Sequence, residues 1–488
     1  MRRSLVALAA LLVTSLVPAP ATSAPASSAP ATSAAARPQP GAAGIGDSYF
    51  PDDGNGGYRV RHYEAHLRYA PTGGRLEGRV VITARATQGL SRFDLDLRLP
   101  AQSVRVDGRR AAFRTARGHE LVVTPARPLR VRQLFRVEVT YAGRPAEVEV
   151  DGGHVWHEQA DGGVFVNGEP HSGTVWLPLN DHPADKASYD ISVTVPRGWE
   201  AVAPGDLVGE RRDGATSTWR WRVADPMPSY QVFLGVGHYD FVRGVRLGTR
   251  TSLLALSASF DARTRTRIAA QFRAQRGYLR WLADRLGRYP FDHLGMVVQD
   301  GDVGTIESQT APVYGQYVFA YGYPDQARAT ILHELAHQWF ASSVTIRRWQ
   351  DLWLNEGFAS FVQGWYAADH GGPTLEQRLL DEYAEHPAGT YYWTVPPGDP
   401  GPGRRNLFRT VYSRGAMTLT ALRNRIGAPA LEQVLRRWAT EHRHGYATTA
   451  GFVALAEEVS GQDLGTFFRE WLYDPDRPEP TAANGFPV

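Results

Sequence analysis

The 488-residue sequence contains no cysteine. That absence excludes disulfides, a lipid-modified N-terminal cysteine and every cysteine-ligated metal site in one step. Lysine is almost as scarce: Lys186 is the only one, so the basic side chains are nearly all arginine. Charge of one sign is lacking too. The net charge of +3 falls by two, to +1, if Arg2 and Arg3 leave with an N-terminal leader, which gives no electrostatic case for nucleic acid. No stretch after that leader is long and apolar enough to span a membrane, so no span is expected once it is removed.

The first residues, "MRRSLVALAALLVTSLVPAPATSA", combine a basic start, a short apolar run and Ala-x-Ala at Ala19–Ala21. This is the layout of a secretory signal peptide over 1–21, with Arg2-Arg3 only a poor match to a twin-arginine signal. Export to the extracellular space is the expectation. Residues 22–45 are Ala/Ser/Pro/Thr/Gly with little to bury and are expected as a disordered linker. From 46 to 245 short alternating runs such as "FDLDLRL" (93–99), with Phe93, Leu95, Leu97 and Leu99 on one face, predict an all-β domain. Between 246 and 475 the apolar period lengthens, as at Ile268, Phe272, Leu279 and Leu282, and predicts a mainly helical domain. Its helices are expected through 333–340, with Asp325 as a cap, after "DLWLNEGF", and near 415–426, 429–440 and 449–459; 476–488 is a tail.

The run "HELAHQWF" (333–340) places two histidines and a glutamate in an otherwise apolar helix. Residues four apart share a helix face, so His333 and His337 can aim at one point, with Glu334 beside them as a base. A random HExxH has a probability of about 0.02 in such a chain. Glu356 in "LWLNEGF" adds a carboxylate separated from His337 by eighteen residues, a distance that allows a turn and a second helix. Two histidines and a glutamate leave one position of a zinc ion open, which suits catalysis. His154, His157, His171 and His182 sit in turn-rich sequence and read as ordinary surface or core histidines. The stretch "PDDGNGG" (51–57) lacks the closing glutamate of a calcium loop and reads as a turn.

The HExxH, the eighteen-residue gap and "LNEGFA" resemble those of the M1 zinc aminopeptidases, gluzincins of the alanyl-aminopeptidase and leukotriene-A4-hydrolase type. The likeness spans roughly 46–475. It implies an α+β fold of two domains, a saddle-like β domain followed by a thermolysin-like, mainly helical catalytic domain with a small sheet. It also implies one Zn2+ per chain on His333, His337 and Glu356, with Glu334 as general base. "GTIESQTAPVY" (304–314) is similar to the family's Gly-x-Met-Glu-Asn motif. That similarity assigns Gly304 and Glu307 to substrate binding, with Ile306 and Ser308 departing from the motif. "GEPHSGTVWLPLNDHPADKASY" (168–189) resembles the β-domain segment that reaches the active site and puts Glu169 on the substrate amine. "VYSRGA" (411–416) resembles the Tyr-x-Lys-Gly stretch and makes Tyr412 the transition-state stabiliser. The implied substrates are peptides with a free N-terminal amine, the implied enzyme a short monomeric form without the large C-terminal helical domain. An endopeptidase or a leukotriene-type epoxide hydrolase would reuse the same centre. A non-catalytic binding protein on this fold would be expected to have lost Glu334 or a ligand.

Overall fold

The structure, a computed structural model, describes residues 37–159, 161–247, 250–301, 303–401 and 403–487. The expected signal peptide and the linker up to residue 36 lie outside them. Pro38–Val488 form one compact unit.

Alternating sequence builds the β part. Its largest sheet has eight strands in the order Asp206–Asp213, Thr216–Met227, Ala187–Pro196, Tyr58–Ala70, Arg75–Ala86, Leu134–Gly143, Ala101–Val106 and Arg109–Arg110. All pairings are antiparallel except Ala187–Pro196 beside Tyr58–Ala70, where Ile191 faces Ala65. Ala187–Pro196 alternates buried and half-buried residues along its length, as a strand with one covered face must. Its inward residues join Leu67, Val80 and Val139 in one core. The short pair Glu149–Val150 with Gly153–His154 and two four-stranded sheets accompany the largest sheet. One runs Gln39–Pro40, Leu90–Asp96, Glu120–Thr124, Ala112–Ala116; the other runs His157–Glu158, Val164–Asn167, Phe233–Gly237, Glu200–Val202.

The linker expected to reach residue 45 is ordered from Gln39 onward. Gln39–Pro40 adds to the edge of Leu90–Asp96, and the Gly41 N–H donates to the Arg92 carbonyl at 2.8 Å. Main-chain pairing needs no apolar side chain, so composition did not reveal it. Leu90–Asp96 departs from simple alternation as well: Phe93 and Leu95 are buried, but so are Asp94 and Asp96.

A mixed sheet of Tyr239–Leu247, Arg250–Ser257, Met296–Gln299 and Val313–Gly315 opens the second part, so the boundary expected at 245/246 falls inside its first strand. Helix α1 (Ala262–Leu286) begins at Asp261, whose carboxylate accepts the Thr264 N–H, and buries Ile268, Phe272, Leu279 and Leu282. Helix α2 (Pro324–Ala336) starts at Pro324, so Asp325 is not its cap but a first-turn residue paired with Arg328 at 3.0 Å. Proline fixes the first helical φ and its missing N–H is no loss there, which sets the start one residue earlier. Helix α3 (Trp353–Asp369) packs on it and α4 (Ser413–Ile426) packs on α3, followed by Ala428–Glu441 and Thr449–Ser460 near their expected places. Leu375–Glu385 and Gly465–Leu472 are further helices that the sequence reading did not include. The tail is packed: Phe486 is buried and stacks on Trp471.

Candidate metal centre and its surrounding carboxylates

Helices α2 and α3 face each other and bring their polar residues to one point. The Nε2 atoms of His333 and His337 lie 3.2 Å and 3.4 Å from Oε2 of Glu356, and the two rings stand edge to face at 4.7 Å. Nδ1 of His337 faces the Phe340 carbonyl at 3.1 Å. A proton on Nδ1 donated to that carbonyl orients the ring so that Nε2 is the nitrogen on the Glu356 side. Burial pushes the Glu356 carboxyl up, but His337 foremost, with the bonds from both imidazoles, outweighs it and holds the group at about 2. Burial pushes His337 down, yet Glu356, Glu307 and Glu334 drive it far above its ordinary value.

The third helix arrives by close approach. A Cβ on Gly357 would sit 2.8 Å from Cα of Gly415, and one on Gly415 the same distance from Cα of Gly357. Only glycine at both positions lets α3 and α4 touch backbone to backbone. Tyr412, at the start of α4, thereby lands beside the histidines, its ring 5.9 Å from that of His333 at an angle of 25°. It stays 36% exposed toward solvent. Partial burial and the nearby carboxylates, Glu356 foremost, raise its phenol, so the hydroxyl keeps its proton.

Around His337 the carboxylates crowd. Donor atoms of Glu307, Glu334 and His337 lie within 4.8 Å of one another, as do those of Glu169, Glu307 and Glu356. Glu334 is 6% exposed, and burial pushes its carboxyl well up. Oε1 of Glu169 and Oε1 of Glu307 are buried without a hydrogen-bond partner among the described residues. Four carboxyl side chains thus face two imidazoles at this point.

The loop carrying Glu307 is held by groups that no motif marked. An antiparallel bridge joins Ile306 to Val313. Gln338 accepts the Thr310 N–H at 2.8 Å and donates to the Glu307 carbonyl at 3.3 Å. The Ser308 hydroxyl donates to the Gln231 carbonyl at 2.6 Å. Ser308 thus turns into the body of the protein. The Tyr230 hydroxyl bonds to Glu307 and also accepts from Asn355 at 3.3 Å. Gly304 has φ +72°, and a Cβ there would meet nothing, so backbone conformation alone favours glycine.

The segment 168–189 is latched at both ends. Lys186 Nζ donates to the carbonyls of Ser342 and Ser343 at 2.8 Å and 3.0 Å, just past α2. His171, two residues after Glu169, is buried with its ring nitrogens 2.5 Å from Asp53 and 3.0 Å from Asp151. His182 lies 3.0 Å from Asp47, so neither histidine is near the metal-type cluster.

Two imidazoles and one carboxylate converging in this way fit a zinc ion with a position left for a non-protein ligand. Residues 271–393 match the model of the Peptidase family M1 domain. Aminopeptidase N of Streptomyces lividans is 27% identical over 309 residues, which cover 60% of this chain and 36% of that protein. Aminopeptidase M1-D of Oryza sativa subsp. japonica is 25% identical over 333 residues, 64% of this chain and 36% of that protein. The chain thus spans about a third of the length of the curated relatives it matches. A mutant of an M1 zinc metallopeptidase from Deinococcus radiodurans, bound to a Tyr-Ser-Ala substrate, superposes with a TM-score of 0.79 at 28% identity. The match covers 90% of this chain and 100% of that one.

Proposed function

The chain belongs to peptidase family M1, and on that footing we propose that it is a zinc aminopeptidase that removes the N-terminal residue from peptides. One observation carries this reading: the unpartnered, buried oxygens of Glu169 and Glu307 beside a three-ligand centre. They offer charge-assisted hydrogen bonds to an ammonium group, which a peptide backbone presents only at its N-terminus.

His333, His337 and Glu356 would hold the zinc. When bound, zinc supplies Lewis acidity, acidifying water and polarising a carbonyl. Glu334, not a ligand in this scheme, takes the proton of the attacking water and returns it to the departing amine. The Tyr412 hydroxyl donates to the oxyanion as the tetrahedral intermediate forms. Glu169 and Glu307 fix the amine, so that the first peptide bond alone lies over the centre. Export remains a proposal resting on residues 1–21 alone, and a fusion to a secretion reporter tests it.

The deciding experiment digests one peptide in free-amine and N-acetylated forms side by side, read by mass spectrometry. The free form should lose residues singly from its N-terminus. The acetylated form should react slower by ~10³-fold or more, since it leaves both carboxylates buried without a partner. Internal cuts in the acetylated form at comparable rates would show an endopeptidase and overturn the amine-anchor assignment.

A further inference from the structure

The turn at 51–57 holds Asp52, Asp53 and Asn55 but no closing glutamate of its own. The fold brings one from another strand. Leu90–Asp96 and Glu120–Thr124 pair antiparallel, with Asp96 directly opposite Glu120. Both residues are 1% exposed. Like charges facing each other across a strand pair are destabilising, and in the interior the repulsion is stronger still. The nearby arginines are engaged elsewhere: Arg117 pairs with Asp52 at 2.5 Å and Arg92 with Asp94 at 3.8 Å.

Three further observations point into this cluster. Neither carboxylate oxygen of Glu120 has a hydrogen-bond partner among the described residues. The Asn55 amide lies against Asp96, Nδ2 donating to Asp96 Oδ1 at 3.1 Å, while Asn55 Oδ1 is unpartnered in a residue 1% exposed. His119, whose Nε2 lies 3.1 Å from the Asp52 carbonyl, ties the turn to the same place. Donor atoms of Asp96, His119 and Glu120 lie within 4.8 Å of one another. Burial, with Asp94 beside it, pushes the Glu120 carboxyl up to about 8. His119 is the basic side chain beside the pair, its Nε2 3.9 Å from Glu120 Oε1.

We propose that Asp96, Glu120 and the Asn55 amide oxygen bind one calcium ion, at a site in the β part separate from the catalytic centre. Two carboxylates and an amide oxygen are hard donors, and calcium accepts six to eight oxygens in flexible geometry, waters included. The ion would join the 51–57 turn to two strands and, through the Asp181 N–H that donates to Asp96 at 2.7 Å, to the 168–189 segment. Asp53 in the same turn holds His171. Calcium here would therefore brace the support of Glu169.

The test dialyses the zinc-loaded protein against calcium chloride and measures both metals by emission spectroscopy, with thermal midpoints in parallel. One calcium per chain is expected, and at saturation a midpoint higher by about 2–5 °C. Glu120→Gln should weaken calcium uptake at least ~10-fold while leaving zinc content, and activity in calcium-free buffer, unchanged. Should that variant not fold, terbium luminescence serves on the unaltered protein. Tyr58, whose hydroxyl donates to the Asp94 carbonyl at 2.6 Å, is the sensitiser, and calcium but not zinc should displace the signal. No calcium uptake at about 10 mM, uptake unchanged in Glu120→Gln, or terbium displaced by zinc rather than calcium would each overturn the assignment.

Discussion

Gln338, the residue after His337, accepts the main-chain N–H of Thr310 through its side chain at 2.8 Å. The same amide donates to the Glu307 carbonyl, so one fully buried side chain ties the metal-type helix to the loop of the proposed amine anchor. Gln338→Ala removes both bonds and leaves the Thr310 N–H without this acceptor. A loss of about 1–3 kcal/mol in stability is expected from unfolding curves. Peptidase kcat/KM should fall at least ~10-fold through a displaced Glu307, while zinc content stays near one per chain. Unchanged kinetics in a destabilised variant would reduce Gln338 to a structural role.

The base and the ligands separate under mutation. Glu334→Gln should keep zinc and lose ~10²–10⁴-fold in turnover, the range for removal of a general base. Changing His333, His337 or Glu356 to alanine should instead cost the zinc, and stripping the metal with a chelator should abolish activity until zinc is restored. Metal analysis beside activity assays reads the difference. A zinc-free Glu334→Gln protein would exchange the roles given to Glu334 and Glu356.

Tyr412 stands beside His333 as a protonated phenol. If it serves the oxyanion, Tyr412→Phe should lower kcat by about 10²–10³-fold and leave KM nearly unaltered. Steady-state kinetics on a free-amine peptide decides. Near-normal kcat would leave the ring as packing.

His171 gives the fold a pH dependence. Burial works against its charge, but Asp151 and Asp53 raise it to about 9 from an ordinary 6.5. A raised folded pKa means stabilisation present in full below about 6.5 and lost as pH rises through 9. The contribution is up to about 3 kcal/mol at its fullest. Lys186 runs the other way: burial lowers it to about 7, so its share of stability grows as pH rises. The reading is therefore the difference between the protein and His171→Gln. That difference should shrink between pH 6.5 and 9 in thermal midpoints, and a constant gap would refute the clamp.

Much of the centre was legible because its geometry is local. A helix puts residues four apart on one face whatever surrounds it, so His333 and His337 converge by backbone geometry alone, and α3 needed only the next segment to turn back. Glu169, Glu307 and Tyr412 were legible only through resemblance to a family, since a single carboxylate or phenol in a loop carries no local signal. Tyr230 and Gln338 were not legible at all, because what defines them is a partner far along the chain.

The amino-acid pattern by itself determined the two kinds of architecture. Period-two runs can cover one face only as strands, and period-three-to-four runs only as helices. It also determined the identity of the metal-type donors. Tertiary structure alone decided that two glycines, Gly357 and Gly415, touch and so deliver Tyr412. It alone placed Asp96 across from Glu120 and set a buried turn amide against Asp96. Strand register and helix crossing depend on the whole core closing at once, and such cooperative choices leave no mark within any single stretch of sequence.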